Sequence, residues 1–431
     1  MRMLRQACEE ACILGQGVLG TDYMKIILPD DVKFIISRLI SNGYEAYAVG
    51  GCVRDSIIRR VPGDWDITTS ACPEAVKKLF SHTVDTGIMH GTVTVMLHRK
   101  GYEVTTYRLD GEYEDGRHPK SVEFTKSLVE DLKRRDFTIN AMAYNDADGL
   151  IDEFGGREDL QSGIIRCVGM PAERFGEDAL RMLRAIRFSA QLGFEIERAT
   201  ADAIKELAPA IAKVSKERIH TEFGKILLSP HPEYMGKVRE YTLSRYAFPE
   251  LDRIADSKTA LELAGKVPAE LYFRYAALLY ELGADGVRNA LKALKLDNRT
   301  VDGAAKLTAF HGTDIAQNEK GIRKLASRWG EEAFSHALEF EACYYDVTGQ
   351  NEAAAAVEEE RGLFGIIKDR GDCLDTKELA IDGKTLMSCG IEPGKEVGRL
   401  LKECLELVLE NPEFNTKERL LEYLGLKPCV S

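Results

Sequence analysis

The sequence predicts an α+β protein in which a small mixed β-sheet with helices is followed by all-α segments. Short β-rich runs alternate with helical patterns between residue 24 and about residue 157. Beyond Gly155-Gly156, apolar residues recur at i, i+3 and i+4, which is the spacing of amphipathic helices. The chain has 431 residues, 44% of them hydrophobic, so it is long enough to bury two or more cores.

Turn-rich stretches predict where the helical part divides. LLSPHPEYMG lies near residue 230 and DVTGQNEA near residue 350. We therefore expect domains at residues 24–157, 158–229, 230–350 and 351–431. Residues 1–23 form an N-terminal extension whose apolar stretch is too short and too charged for a secretory signal. A dispensable disordered segment, a mis-called start and a short amphipathic helix are the alternatives left open for this extension.

Two aspartates one residue apart, Asp64 and Asp66, follow an apolar run that ends at Gly50-Gly51. Alternate side chains of a strand point the same way, so both carboxylates can coordinate one Mg²⁺. The alternative is a solvated turn, which is the more frequent structure of a lone Asp-x-Asp. The glycine pair lets backbone N–H groups approach a triphosphate. Together these features predict a metal site beside a phosphate cradle, as nucleotidyl transfer requires.

A third carboxylate is expected from a neighbouring hairpin. Residues 91–107 contain two β-rich runs around a predicted turn at Arg99-Lys100-Gly101. In the second run Glu103, Thr105 and Tyr107 share one face, and Glu103 is our candidate. The alternative is an exposed strand residue beside Lys100.

The segment RRDFTIN offers groups for the rest of a nucleotide. Arginines such as Arg135 suit phosphate, and Asp136 and Asn140 suit ribose hydroxyls. The alternative is a charged helix start in which Asp136 faces the helix dipole.

Helical spacing in GEDALRMLRAIR predicts that Asp178, Arg181 and Arg184 share one helix face. A carboxylate can accept from the exocyclic amino group of C or A, while a guanidinium donates to the adjacent ring nitrogen or carbonyl. U and G instead present a carbonyl to the carboxylate and an N–H donor to the guanidinium, so neither contact can form. Such a pair would select CTP and ATP without a nucleic-acid template. The alternative interpretation of this helix face is a ladder of surface ion pairs.

These motifs, in this order and with this spacing, resemble the class II tRNA nucleotidyltransferases, the CCA-adding enzymes. The resemblance runs from about residue 28 to residue 229 and recurs near the C-terminus. It implies a nucleotidyltransferase head followed by helical neck, body and tail domains, with Mg²⁺ as cofactor and CTP, ATP and the tRNA acceptor end as partners. The resemblance implies metal binding by Asp64 and Asp66, catalysis with Glu103, and nucleotide binding by Gly50, Gly51, Arg54, Arg135, Asp136 and Asn140. It also implies base selection by Asp178 and Arg181, and support of either the nucleotide or the helix by Arg184 and Arg187.

The family also contains CC-restricted and A-restricted enzymes and poly(A) polymerases. Residues 109–124 resemble the flexible loop of the full CCA-adding members, which favours addition of the final A. Residues 86–92 lack the basic element that marks bacterial poly(A) polymerases. A poly(A) polymerase and a non-catalytic tRNA-binding relative are the alternatives.

Net charge is −12, which argues against a nonspecific polyanion-binding surface, so any tRNA contact must use local basic clusters. The candidates are Lys213, Lys216, Arg218 and Lys225, and Lys320, Arg323, Lys324 and Arg328. Ten dispersed cysteines without a CxxC predict reduced thiols, a cytoplasmic protein and no zinc site. No apolar run approaches the length of a membrane span.

Overall fold

The computed structural model describes residues 25–110, 122–313 and 317–426. The chain divides into two compact units, Met1–Arg174 and Phe175–Ser431. The first unit therefore continues past residue 157, where we expected the head to end. The predicted N-terminal extension and most of the predicted flexible loop lie outside the described residues.

The first unit carries most of the strands. They are β1 (Ala46–Val49), β2 (Asp66–Thr69), β3 (Thr83–Gly87), β4 (Thr92–Leu97), β5 (Lys100–Thr106), β6 (Arg108–Asp110), β7 (Val122–Phe124), β8 (Ala143–Asn145), β9 (Gly149–Ile151) and β10 (Ile164–Ile165). Its helices are α1 (Asp30–Ile40), α2 (Gly51–Ile57), α3 (Pro73–Leu79), α4 (Leu128–Lys133) and α5 (Gly156–Ser162), with 3₁₀ turns at Ile88–His90 and Thr138–Asn140. Helix α6 (Pro171–Glu177) contains the division point between the units.

A seven-stranded mixed sheet has the order β3-β4-β5-β2-β1-β8-β9. Strand β2 pairs antiparallel with β1 and parallel with β5. Val49, Ile67, Val93 and Val104 are buried along the central strands, as β-branched residues suit a packed sheet face. The central strands β2 and β5 therefore rest on a rigid core, and both carry candidate carboxylates.

The predicted hairpin is confirmed, but the predicted position of its turn is wrong. Leu97 pairs with Lys100, so the two turn residues are His98 and Arg99. Both have positive φ, 48° and 66°, the backbone that a two-residue turn needs to match the strand twist. Asp31 on α1 holds the hairpin by accepting from the Tyr102 hydroxyl at 2.9 Å and pairing with the His98 ring at 2.9 Å.

Over residues 175–313 and 317–426, the second unit is helical apart from turns, loops and the two-residue strand β11 (Glu195–Ile196). Its first helices are α7 (Leu180–Leu192), α8 (Arg198–Leu207), α9 (Lys216–Leu227), α10 (Met235–Glu240), α11 (Ser244–Ala247), α12 (Ser257–Lys266), α13 (Leu271–Leu279) and α14 (Gly283–Ala293). The later ones are α15 (Asn298–Phe310), α16 (Glu319–Trp329), α17 (Glu331–Thr348), α18 (Asn351–Arg370), α19 (Gly383–Ser388), α20 (Lys395–Glu410) and α21 (Lys417–Tyr423). Short 3₁₀ turns lie at Ala208–Lys213, Pro232–Tyr234, Pro249–Arg253, Tyr280–Leu282, Thr376–Glu378 and Pro412–Phe414.

The apolar stripe of α7 is buried as its periodicity predicts. Leu180, Leu183, Ile186 and Phe188 are all less than a tenth exposed. Further along the chain, the C-terminal helices enclose a separate core that includes Leu386, Cys404, Val408 and Leu420. Among the described residues, no helix is long and apolar enough to cross a membrane.

Candidate functional site

Strands β2 and β5 place two of the three predicted carboxylates beside each other. Ile67 pairs with Val104 in the parallel ladder, so Asp66 and Glu103, one residue earlier on each strand, are neighbours on the same face. Asp64 does not lie on the strand as predicted, because β2 begins at Asp66. All three side chains are exposed, so the group is open to a ligand.

The charges of these carboxylates interact. The pKa of Asp66 is raised to about 6, first because neighbouring protein atoms displace water from the carboxylate and then because Asp64 and Glu103 repel its charge. Arg135 acts in the opposite direction and favours the ionised form. The four side chains therefore form one electrostatic unit with an excess of negative charge.

The donor set suits a hard cation such as Mg²⁺, which takes carboxylate oxygens and leaves room for phosphate oxygens. A divalent cation would also relieve the repulsion among these carboxylates. Within residues 25–110, 122–313 and 317–426, however, no group of three or more His, Cys, Asp or Glu side chains is arranged to hold a metal ion. What fits the cation here is the donor chemistry and the charge of the carboxylates.

The predicted phosphate cradle lies where β1 runs into α2. Gly50 has φ +80°, and a Cβ there would lie only 3.0 Å from Nη1 of Arg135. Glycine is therefore required both by the backbone and by the approach of that guanidinium. Gly51 begins α2, and Arg54 on the same helix is 9% exposed. Gly50 thus lets Arg135 lie close to the backbone between β1 and α2.

Hydrogen bonds hold the predicted ribose-binding groups in place. Arg54 donates from Nη1 to the Asn140 amide oxygen at 2.7 Å and pairs with Asp55 at 2.8 Å. The Asn140 amide nitrogen in turn donates to Asp136 at 3.2 Å. Asp136 and Asn140 are both buried, so their orientations are set by this network. The structure therefore brings Arg54, Asp136 and Asn140 into one hydrogen-bonded group.

Asp131 is a residue that the sequence analysis missed. It is fully buried on α4 and pairs with Arg134 at 2.7 Å and with Arg135 at 3.4 Å. Burial disfavours its charge, but the two guanidinium groups outweigh that effect and hold its pKa below the ordinary value. The i+3 and i+4 spacing of Asp131 to the two arginines was a signal that could have identified it.

The second predicted set lies in the second unit. Asp178 does not share the helix with Arg181 as predicted, because it falls in the break between α6 and α7. Its carboxylate accepts from the Leu180 backbone N–H at 3.0 Å, which explains why the helix begins after it. Arg218 on α9 donates to both oxygens of Asp178, at 3.3 and 2.7 Å. Arg181 pairs with Glu177.

Arg184 and Arg187 lie further along α7. The guanidinium of Arg184 lies 5.4 Å from the centre of the Phe188 ring. Arg187 is 7% exposed, lies 4.1 Å from the same ring centre and pairs with buried Glu222 of α9 at 3.0 Å. These contacts favour the helix-supporting role among the two that the resemblance implied for Arg187.

The predicted basic clusters are largely engaged within the second unit. Lys216 donates to the Ala247 carbonyl at 2.8 Å, and Lys213 and Lys225 are exposed. In the other cluster, Lys320 and Lys324 pair with Glu410 at 2.9 and 2.8 Å, and Arg323 is buried against Asp372. These pairs join α16 to Glu410 at the end of α20 and to Asp372, which follows α18.

Family models match three stretches of the chain. They are the poly A polymerase head domain at residues 46–166, the RNA and SrmB-binding site of polymerase A at residues 193–254, and tRNA nucleotidyltransferase domain 2 at residues 273–424. The first covers the carboxylates and the arginine motif. Asp178 and Arg181 fall between the first and the second match.

Curated relatives are similar over nearly the whole chain. The chain is 37% identical to a CCA-adding enzyme of Ligilactobacillus salivarius over 409 residues, which is 92% of this chain and 96% of the relative. It is 40% identical to a CCA-adding enzyme of Geobacillus stearothermophilus over 401 residues, 90% of this chain and 95% of the relative.

Solved structures give the same result for the fold. The crystal structure of a Bacillus stearothermophilus CCA-adding enzyme in complex with CTP matches with a TM-score of 0.75 and 34% identity, covering 93% of this chain and 98% of that one. A Thermotoga maritima CCA-adding enzyme complexed with tRNA matches with a TM-score of 0.58 at 22% identity, covering 94% and 97%. The second match supports the fold alone.

Proposed function

Because this chain belongs to the CCA-adding enzymes, which are tRNA nucleotidyltransferases, we propose that it adds C, C and A in turn to the 3′ end of tRNA. CTP and ATP supply the nucleotides, and pyrophosphate is released. The observation that carries this proposal is the similarity along more than nine-tenths of the chain to a relative of that name. Asp66 and Glu103, neighbours on parallel strands, would serve as a metal ligand and as the proton acceptor.

The transfer step joins the tRNA 3′-oxygen to the α-phosphorus of the nucleotide. The bond from that phosphorus to the oxygen bridging to the β-phosphate breaks, pyrophosphate leaves, and the hydroxyl proton passes to Glu103. Asp64 and Asp66 would hold Mg²⁺, with triphosphate oxygens completing its ligands. When bound, the cation lowers the pKa of the attacking hydroxyl and neutralises charge on the phosphates.

Arg135 contacts the triphosphate in this proposal. Its guanidinium lies close to Gly50 and acts electrostatically on Asp66, so it is available beside the carboxylates. Asn140 and Asp136, held by Arg54, would accept and donate hydrogen bonds at the ribose hydroxyls. Buried partners fix these groups before the nucleotide arrives, which reduces the entropy lost on binding.

Asp178 and Arg181 would read the base. The carboxylate accepts from the amino group of C or A, and the guanidinium donates to the neighbouring acceptor. UTP and GTP place a carbonyl against Asp178 and an N–H against Arg181, so both contacts become repulsive. Residues 109–124 are proposed to permit the change from C to A at the last step.

Extension of a tRNA transcript that lacks its CCA end tests the proposal. The transcript is incubated with Mg²⁺ and with each nucleotide separately and together, and products are resolved at single-nucleotide length. Addition of two cytidines and one adenosine supports it. A stop after two cytidines would identify a CC-restricted enzyme. A long ladder of products with ATP would indicate a poly(A) polymerase. If no product forms, the protein would be a non-catalytic tRNA-binding relative.

We also propose that Mg²⁺ is the cation and that the reaction takes place in the cytoplasm. The oxygen-only donor set supports Mg²⁺ over a metal that prefers sulfur or nitrogen ligands. Titration of the extension rate with Mg²⁺, Ca²⁺ and Zn²⁺ checks the first point. Cell fractionation with an antibody against the chain checks the second.

A further inference from the structure

Arg218 contacts the base-selecting aspartate although it lies forty residues further along the chain. Its two terminal nitrogens donate to the two oxygens of Asp178, Nη1 to Oδ1 at 3.3 Å and Nη2 to Oδ2 at 2.7 Å. The side chains are only 21% and 15% exposed. A planar guanidinium that contacts both oxygens of a carboxylate restricts its rotation more than a single hydrogen bond does.

The hydrogen bonds that Asp178 accepts leave one acceptor position of its carboxylate unoccupied. Oδ1 accepts from the Leu180 backbone N–H at 3.0 Å and from Arg218 at 3.3 Å. Among the described residues, Oδ2 accepts from Arg218 alone. Each carboxylate oxygen can accept about two hydrogen bonds, so Oδ1 is filled and Oδ2 retains one acceptor position.

The helix that carries Arg218 is itself fixed to α7. Arg187 of α7 pairs with Glu222 of α9 at 3.0 Å, and both are less than a tenth exposed. Ile219 and Phe223, on the same helix as Arg218, are fully buried. Arg218 therefore projects from a rigid element, and the orientation of Asp178 depends on where α9 lies.

We propose that Arg218 is the positioning residue of the base-selecting site. It turns the Asp178 carboxylate so that the one free acceptor position of Oδ2 meets one N–H of the exocyclic amino group of C or A. Arg218 acts through Asp178 and not by touching the nucleotide. This proposal rests on the proposed function, and it replaces the expectation that Arg218 belongs to a local basic cluster that contacts tRNA.

The test compares Arg218→Met with Lys225→Met. Lys225 lies on the same helix and is exposed, so its variant removes the same charge without touching Asp178. We expect Arg218→Met to lower kcat/KM for CTP and ATP by roughly 10- to 100-fold, the range for losing a charge-assisted hydrogen bond. The preference for CTP over UTP should fall by about tenfold or more, while KM for tRNA in the Arg218→Met enzyme stays within about twofold of that of the unaltered enzyme. Arg218→Lys should restore part of the preference.

A double-mutant cycle with Asp178→Asn separates positioning from a structural role. If Arg218 acts only through Asp178, adding Arg218→Met to the Asp178→Asn enzyme should change the CTP to UTP preference by less than about twofold. Thermal unfolding of all four proteins identifies a variant that fails to fold, and Arg218→Lys then replaces Arg218→Met in the cycle.

Unchanged nucleotide preference in a folded Arg218→Met enzyme would overturn the inference. An equal rise in KM for tRNA in the Arg218 and Lys225 variants would also overturn it, since that result belongs to an RNA-binding surface. Neither result would affect the proposed function, which fails only if the unaltered enzyme does not add C, C and A.

Discussion

In the first unit, Asp64, Asp66 and Glu103 are exposed and repel one another, whereas in the second unit Asp178 and Arg181 are mostly buried and each has an ion-pair partner. The difference follows from what each set is proposed to bind. A cation brings its own compensating charge, so its ligands can be left with an excess of negative charge. A nucleobase edge is neutral, so the groups that read it must be balanced within the protein.

The largest expected effect is at the repelling carboxylates. Asp66→Asn should lower the rate of cytidine addition by at least about 10³-fold, because the variant loses a metal-binding charge. Its melting temperature should not fall, since the change also removes a like charge. Single-turnover extension and thermal unfolding measure the two quantities.

Asp85→Asn is the control, because Asp85 is a surface carboxylate of the same unit that pairs with Lys77. That variant should keep the full rate. An Asp66→Asn enzyme that also kept it would remove Asp66 from the site.

The next effect concerns Asp131, a buried and fully paired carboxylate within the first unit. Asp131→Asn should lower the free energy of unfolding by about 2 to 4 kcal/mol at pH 7, because the ion pairs of Asp131 with Arg134 and Arg135 are lost. The pKa of Asp131 is lowered from 3.8, so this contribution is complete above pH 3.8 and is lost as the pH falls towards the folded-state pKa. The two proteins should therefore converge in acid.

Urea unfolding at pH 7 and below pH 4 provides the measurement. Glu130→Gln is the matched control, since Glu130 is one residue away and its pair with Lys133 is exposed. A difference between Asp131→Asn and the unaltered protein that persists unchanged below pH 3 would contradict the assignment.

A smaller effect is expected for the balanced set in the second unit. Arg181→Ala should reduce discrimination against UTP and GTP by roughly 10- to 100-fold, the range for losing one good base contact. Competition assays with mixed nucleotides measure the ratio. Arg198→Ala, which removes a 95% exposed arginine of the same unit, should leave it unchanged. Full selectivity in the Arg181 variant would exclude Arg181 from base recognition.

The smallest expected effect concerns Glu360, which tests whether a group of mutually repelling carboxylates always indicates a cation site. Glu360 in the second unit is 4% exposed, and burial, followed by repulsion from Glu341 and Glu359, raises its pKa from 4.5 to about 7. Glu341 also pairs with His311 at 2.8 Å. The cost of ionising Glu360 in the folded state grows above pH 4.5 and is complete above about pH 7.

Glu360→Gln should therefore raise the free energy of unfolding by about 1 to 2 kcal/mol at pH 8.5 and by little at pH 5. Thermal unfolding at the two pH values measures this, with Glu352→Gln as the control, because Glu352 is exposed on the same helix and is not among the groups that shift the pKa of Glu360. Equal stabilisation at both pH values would show that packing, and not charge, is responsible. Full catalytic activity in the variant would separate raised pKa values from catalysis in this protein.

Local patterns predicted much of this molecule, and the errors have physical causes. The hairpin of β4 and β5 and the buried stripe of α7 follow from periodicity, which is a property of neighbouring residues. The start of α7 was misplaced because the Asp178 side chain competes for the backbone N–H of Leu180.

Partners distant in sequence could not be predicted. The contact of Arg218 with Asp178 and those of Lys320 and Lys324 with Glu410 depend on how helices pack, which no local spacing encodes. Asp131 is different, because its arginine partners lie three and four residues away. Short-range ion pairs beside a recognised motif are therefore worth identifying before a structure is known.

The parallel pairing of Ile67 with Val104 makes the site sensitive to chain length. Because side chains alternate along a strand, a one-residue insertion between Arg99 and Glu103 that shifted the register would turn Glu103 towards the buried face and leave Tyr102 or Val104 facing Asp66. Natural length variation should therefore accumulate outside β5, and a single-codon insertion within it should inactivate the enzyme although every functional residue is retained.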